Sequence, residues 1–399
     1  MTTPIVYLHI GAPKTGTTYV QAVLGRNRGR LAGEGVLWPG WDEQVLAVRD
    51  VLEDRRAGQR SDQVPGAWSR LCERIHAWRG RAAVVSMEWL VNATPAQVRR
   101  VVDTLTPCQV RVVLSARDLA RTVVAQWQEA MQSAKTWTWE EFLAGVTADD
   151  PGQTAAGRRF WHQQDLGSIL RTWGEAVPAE RSYLITIPPR GAAGDLLWQR
   201  FAAVIGVPAD GFDIAVRAGA SNQSLGVVSA ELMRRLNVVS REQGVSWANY
   251  TRYLKHGLAK GQLSRRASLE ETLRFPEACY PWAIDRARRL AREIEEFGAR
   301  VIGDLDELIP IAPGPGTVPP PAEATAADLL EAALFGITGL VATLDSQHHS
   351  GTHRTLAAAE RHGVAGRLLA AGRRRTVLRR RSGLPQERWA PTSRPATCT

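Results

Sequence analysis

Cysteine is scarce in this chain of 399 residues: Cys72, Cys108, Cys279 and Cys398 are the four present. They stand far apart, with no C-x-x-C pair and no metal-ligand spacing. A disulfide framework and a zinc module are therefore excluded, and free thiols in a reducing compartment are expected. No uninterrupted apolar run reaches the ~18 residues that span a bilayer. Met1 to Pro4 has no basic stretch, and the apolar run behind it is only strand-length. A signal peptide is thus not expected, and a cytoplasmic location is. There are no internal repeats.

Acidic residues are scarce in one place only. From Arg361 onward the sequence has ten Arg and a single acid, Glu387, or +9, against +10 for the whole chain. The preceding 360 residues are close to neutral. That distribution argues against nucleic acid as the main partner. It leaves the basic segment, with Arg runs at 373–375 and 379–381, compatible with peripheral membrane contact or with a solvated, disordered end.

The apolar content of 44% is ample for a sizeable core. Period and breakers predict strands over Ile5–Ile10, Ala82–Ser86, Gln109–Ser115 and Ser182–Ile187. Helices are predicted over Thr17–Arg26, from Pro95 (capped by Thr94) to Leu105, over 118–134, and over Leu196–Ile205. Gly33–Gly40 reads as a turn, and 42–79 as helical with a break near Pro65. Residues 221–310 read as mostly helical, ending in a long helix around Trp282–Phe297. Ile311–Pro321 is Pro/Gly-rich, and Ala326–Leu344 fits one helix. Strands alternating with helices imply an α/β fold with a parallel sheet and right-handed crossovers. Ligands of such sheets bind at the C-terminal strand ends. Three of those ends carry charge: Lys14 after the first run, Glu88 after the second, Arg117 after the third.

The richest stretch is His9-Ile10-Gly11-Ala12-Pro13-Lys14-Thr15-Gly16-Thr17-Thr18. A strand, a Gly-containing loop with a Lys, and a helix start together make an anion site. Backbone N–H groups point at the anion and the helix dipole favours negative charge. It is not a Walker A loop, which places Lys directly after its second Gly. Here Lys14 precedes Gly16 by two residues.

Pro13-Lys14-Thr15-Gly16-Thr17-Thr18 after a β-run resembles the 5′-phosphosulfate loop of sulfotransferases that use 3′-phosphoadenosine 5′-phosphosulfate (PAPS). The resemblance is strongest over residues 5–25, weaker near 82–130 and vague beyond 220. It implies a P-loop-type three-layer fold over residues 1–310, a central parallel sheet flanked by helices with a mostly helical C-terminal part. A linker at 311–325 and a helical, then Arg-rich extension at 326–399 follow. It implies transfer of a sulfuryl group from PAPS to a hydroxyl of a small-molecule, carbohydrate or lipid acceptor. No metal is expected, because no carboxylate stands where a Walker B Asp would hold Mg²⁺.

Carried onto this sequence, the resemblance makes Lys14, Thr15, Gly16, Thr17 and Thr18 the phosphosulfate loop, with Lys14 also offsetting charge on the leaving oxygen. Arg117, at the end of Leu114-Ser115-Ala116-Arg117-Asp118, becomes the 3′-phosphate contact. The Ser that family places two helical turns later falls on Ala125, and Thr122, Gln126 or Gln128 could stand in for it. An ordinary ion pair with a nearby carboxylate is the other reading of Arg117. Leu254-Lys255-His256-Gly257, followed by Lys260-Gly261, is similar to the basic segment over the 3′-phosphate, which nominates Lys255; a solvated basic turn is the plainer reading. Glu88 is the first choice of base, with a helix cap or Arg partner as its structural alternative. His9 and His162 are the other base candidates, although strand alternation can turn His9 into the core. The 14 Trp are spread along the chain and read first as packing residues. Two different functions stay open: a P-loop kinase or NTPase, and a lipid- or nucleic-acid-binding protein acting through the Arg-rich end.

Overall fold

The computed structural model describes residues 3–54, 61–215, 224–314 and 324–361, and the side chains of its last helix as far as Asp345, apart from Leu344. Its centre is a six-stranded, all-parallel sheet in the order β2-β3-β1-β4-β5-β6. The strands are β1 (Ile5–Gly11), β2 (Val36–Leu37), β3 (Ala82–Ser86), β4 (Gln109–Ala116), β5 (Ser182–Thr186) and β6 (Arg300–Ile302).

Both faces of β1, β3, β4 and β5 are buried, as parallel strands require. On one face Tyr7, Ala82, Val84, Val113 and Ile185 pack against Val20, Val23 and Leu24 of helix Thr17–Arg26. Trp198, Phe201 and Ile205 of helix Leu196–Ile205 close that side. Trp198 stacks on Phe201 and meets Phe212 at a tilt, which adds to this layer. The chain leaves β1 for the β2 edge, returns to β3, then crosses to β4. The direction of winding therefore reverses at β1, which is where such sheets open a crevice.

The long elements lie where their periodicity places them. The helix Pro95–Thr104 has Thr94 as N-cap and a reciprocal capping box with Gln97. β2 and β6 were outside the expectation. They are two and three residues long, too short to display a period. The expected basic turn near Lys255 is instead part of a π-helix, Tyr250–Lys260. Tyr250 anchors its start: the hydroxyl donates to Asn237 Oδ1 at 2.8 Å and accepts from Ala134 N–H at 2.9 Å.

By internal contacts the chain forms two units, Met1–Ile337 and Thr338–Thr399. The last helix, Ala326–Arg361, is longer than the Ala326–Leu344 segment expected. Its window Ala326–Thr343 has a mean hydropathy of 1.5, so by length and composition it could cross a membrane. The uninterrupted-run criterion missed it because Asp328 and Glu331 break the run without lowering the average enough. Residues 315–323 of the expected linker and the Arg-rich 362–399 lie outside the described residues.

Candidate active site

The loop after β1 is clamped from three directions. Ala12 N–H donates to the Ser115 carbonyl at 2.9 Å, tying the loop to β4. Gln164 Nε2 donates to the Pro13 carbonyl at 2.9 Å, docking helix Ala155–Gln164 against it. The Thr15 hydroxyl donates back to the Ala12 carbonyl. Gly16 is the N-cap of helix Thr17–Arg26, in the left-handed region at φ 76°, and no side chain caps the helix. The first N–H groups of a helix have no acceptor of their own. Here they lie at the positive end of the dipole with no side chain to accept from them. Lys14 itself is held at φ 69°, a conformation that costs a non-glycine residue roughly 1–2 kcal/mol. Thr15 is thus spent on loop closure, Thr17 is buried and Thr18 is exposed.

Lys14 Nζ meets Glu129 Oε2 at 2.7 Å, and Lys255 Nζ meets Glu129 Oε1 at 2.9 Å. Glu129 lies on helix Leu119–Met131, which follows β4. Lys255 also donates to Ser133 Oγ at 3.1 Å. Burial opposes the Glu129 charge, but the two ammoniums and their hydrogen bonds outweigh it and hold the carboxyl well below its ordinary range. A third ammonium joins them. Burial lowers the pKa of Lys260, with Lys255 and Lys14 pushing the same way against the pull of Glu129 and Glu88. In a π-helix hydrogen bonds run i→i+5, so Lys255 and Lys260 stack on one face. In an α-helix they would point well apart. Two cations therefore hold one carboxylate by direct ion pairs, and Lys260 adds positive charge within electrostatic reach of it.

Arg117, just past β4, reaches the same loop: Nη1 donates to the Lys14 carbonyl at 3.3 Å. The adjacent Asp118 caps helix Leu119–Met131 through Arg121 N–H and pairs with the Arg121 guanidinium, so it does not neutralise Arg117 by contact. Burial, with the Arg121 and Arg190 charges, brings the Arg117 pKa down to about 10, and its Nε is buried without a partner. The structure gives Arg117 no carboxylate partner among the described residues. Of the three residues that could replace the missing Ser, Gln128 is committed to the Leu225 carbonyl at 2.7 Å. The Thr122 hydroxyl turns back to the Arg117 carbonyl at 3.5 Å. Gln126 alone keeps a buried amide nitrogen without a partner.

Glu88 stands where β3 ends and a 3₁₀ turn begins. Gln21 of the loop helix donates to its Oε2 at 3.2 Å and to the Ser86 carbonyl at 3.1 Å. A Cβ on Gly11 would come within 2.8 Å of Glu88 Cβ, so the glycine, at φ 96°, is what lets this carboxylate sit against the loop. The Ser86 N–H is held by Gln44 Oε1 at 2.7 Å, fixing the strand end. Glu88 neither caps a helix nor pairs with an Arg among the described residues.

The sequence of this chain matches no family model and no curated protein at a significant level. Solved structures similar to it include two sulfotransferases. A sulfotransferase from Alicyclobacillus acidocaldarius shares 14% identity, over 54% of this chain and 87% of that one, with a TM-score of 0.35. A sulfotransferase domain from the curacin biosynthetic pathway shares 11% identity, over 52% of this chain and 75% of that one, with a TM-score of 0.31.

The two histidine candidates do not join the carboxylates. His9 is wholly buried between β3 and β4, with Nδ1 2.8 Å from Ser86 Oγ and Nε2 2.8 Å from Ser115 Oγ. Burial drives its pKa down to about 3. It is a neutral core histidine that laces three strands together, and no acceptor reaches it. His162 is exposed on helix Ala155–Gln164, two residues before Gln164, which holds the Pro13 carbonyl.

Glu129 was not among the residues anticipated, and Lys260 was named only as part of the basic segment, with no role of its own. Glu129 sits four residues after the Ala125 position, on the same helix face. That Lys260 shares a face with Lys255 follows only from the π-helix. Its i+5 spacing from Lys255 means nothing on an α-helix.

Proposed function

We propose that this chain moves a sulfuryl group from PAPS to an acceptor hydroxyl, on a carbohydrate or lipid. The observation that carries this reading is the meeting of Lys14, Lys255 and the Arg117 guanidinium around one anion loop with a single shared carboxylate. The excess of positive charge and the partnerless Arg117 Nε suit a ligand with two anionic ends, and PAPS has them. When bound it supplies an activated sulfuryl group.

The chain's own residues would divide the work as follows. The N–H groups at the start of helix Thr17–Arg26 and the Lys14 ammonium bind the phosphosulfate end and stabilise charge growing on the bridging oxygen. Arg117, Lys255 and the Gln126 amide bind the 3′-phosphate. Glu88, oriented by Gln21, takes the acceptor proton as the acceptor oxygen bonds to sulfur. The sulfur–oxygen bond to the nucleotide phosphate breaks, and its electron pair stays on that phosphate. Sulfuryl transfer of this kind draws on positioning and charge and asks for no covalent enzyme intermediate.

The test incubates the full chain with sulfur-labelled PAPS and a panel of sugar and glycolipid acceptors, with chelator present. Label in an acceptor, abolished by Lys14→Ala, is the expected result. Absence of binding of PAPS and of 3′-phosphoadenosine 5′-phosphate at millimolar concentration by calorimetry would overturn the reading. Chelator-sensitive ATP hydrolysis in place of transfer would assign the loop to a nucleotide triphosphatase.

A further inference from the structure

Helix Ala326–Arg361 presents two unlike edges. One is committed to the protein. Leu329 and Ala332 are buried, Phe335 lies under the Arg266 guanidinium, and Gly336 sits so close to Leu258 that a Cβ would come within 2.5 Å of it. The other edge is apolar and uncovered. Leu330 is 61% exposed, Leu334 57% and Ile337 59%. Their 4-3 spacing places them on one stripe, and Val341, 60% exposed, stands at the next position. Isolated exposed leucines need no explanation, but an aligned row of them marks an interaction surface.

We propose that this stripe docks the protein onto an anionic membrane surface, with the helix lying in the lipid interface. Three features select that occupant. The window Ala326–Thr343 is apolar enough for lipid, yet its Leu329–Ala332 edge is held by protein, so it can lie on a bilayer and not cross it. The residues from Arg361 onward carry ten Arg against one acid, the sign that anionic headgroups attract, while the rest of the chain is near neutral. A second copy fits less well. Leu330, Leu334 and Ile337 cover about two turns, well short of the roughly three to four heptads a coiled coil needs. Apolar insertion and headgroup attraction together supply the two signals that stable peripheral attachment takes.

The experiment is flotation of the full chain with phosphatidylcholine vesicles and with vesicles in which phosphatidylserine replaces about a third of that lipid. The chain is expected to float with the anionic vesicles only, and less so as salt rises from about 0.1 to about 0.5 M. The triple variant Leu330→Ser, Leu334→Ser, Ile337→Ser is expected to bind them on the order of tenfold more weakly with the Arg segment intact. Circular dichroism checks its fold, and Leu334→Ser alone, the milder change, is expected to weaken binding about threefold. Equal flotation with both vesicle types overturns the proposal. So does wild-type binding by both variants, which would leave attachment to the Arg segment alone. Self-association in solution that the variants abolish, without vesicle binding, would assign the stripe to a second copy.

Discussion

Lys14 Nζ and Glu129 Oε2 are 2.7 Å apart in space and 115 residues apart in sequence. The pair joins the anion loop to helix Leu119–Met131, and through the other carboxylate oxygen to Lys255. A carboxylate held between two ammoniums occupies the charge partnership that an anionic ligand would need. On the proposed function, Glu129 and the ligand would compete for Lys14 and Lys255.

Glu129→Gln should separate the two effects of that competition. Without ligand the variant is expected to be less stable by about 1–3 kcal/mol, since the lysines lose a charge-assisted partner and repel one another. It is also expected to bind 3′-phosphoadenosine 5′-phosphate several-fold more tightly. Thermal melts and calorimetry read the two quantities. Weaker nucleotide binding would mean that Glu129 positions the lysines for the ligand and does not compete with it.

The same carboxylate gives the site a pH dependence. Glu129 has a folded-state pKa below its unfolded value, so its contribution is complete above the ordinary carboxylate range. That contribution is lost as pH falls below the range. Wild type is expected to lose stability there faster than Glu129→Gln. Parallel melting curves for the two proteins from pH 6 to pH 3 would count against it.

His9 acts in the same direction at higher pH. Burial holds it neutral with a pKa of about 3, while the unfolded chain protonates it near its ordinary value. The unfolded state thus binds more protons between those values, and each pH unit of acidification across that window costs up to about 1.4 kcal/mol. His9→Gln is expected to be less stable at pH 7 and flatter between pH 6 and pH 4. Denaturant titrations at stepped pH check this, and an unchanged slope would place the acid sensitivity elsewhere.

Arg117→Ala is expected to weaken 3′-phosphoadenosine 5′-phosphate by about 1.5–3 kcal/mol, the worth of a charge-assisted contact. Adenosine 5′-phosphosulfate, which has no 3′-phosphate, should be nearly unaffected. Gln126→Leu should follow the same selectivity with a smaller loss. Equal losses for both nucleotides would give Arg117 the structural task of holding the Lys14 carbonyl.

Glu88→Gln keeps the hydrogen bond from Gln21 in reach and removes the basic form. Turnover is expected to fall by roughly 10²–10⁴ with nucleotide affinity intact. Gly11→Ala, which drives a Cβ into Glu88, should mimic part of that loss. Normal turnover in Glu88→Gln would move the proton to another acceptor.

How much of this was legible in the sequence depended on distance along the chain. The β1–loop–helix unit is local. The apolar run Ile5–Ile10, the glycines at 11 and 16 and the apolar period after Thr17 were each readable, because a strand, a turn and a helix are specified by neighbours. The same holds for the ends of β3 and β4, and so for the placing of Glu88 and Arg117 at one edge of the sheet. β2 and β6 are too short to carry a period of their own, and they exist because β3 and β5 offer an edge to pair with.

What the sequence by itself determined is therefore the parallel α/β frame, the glycine- and lysine-bearing loop after β1 and which strand ends bear charge. Tertiary structure alone decided which charges share a site. Lys14, Glu129 and Lys255 lie on a loop, an α-helix and a π-helix, and only packing of those elements brings two ammoniums onto one carboxylate. It likewise decided that His9 is a core residue, because Ser86 and Ser115 reach its two ring nitrogens from strands 77 and 106 residues away. The physical reason is the range of the forces. Backbone preference acts over a few residues, whereas desolvation and charge act on whatever folding has placed nearby.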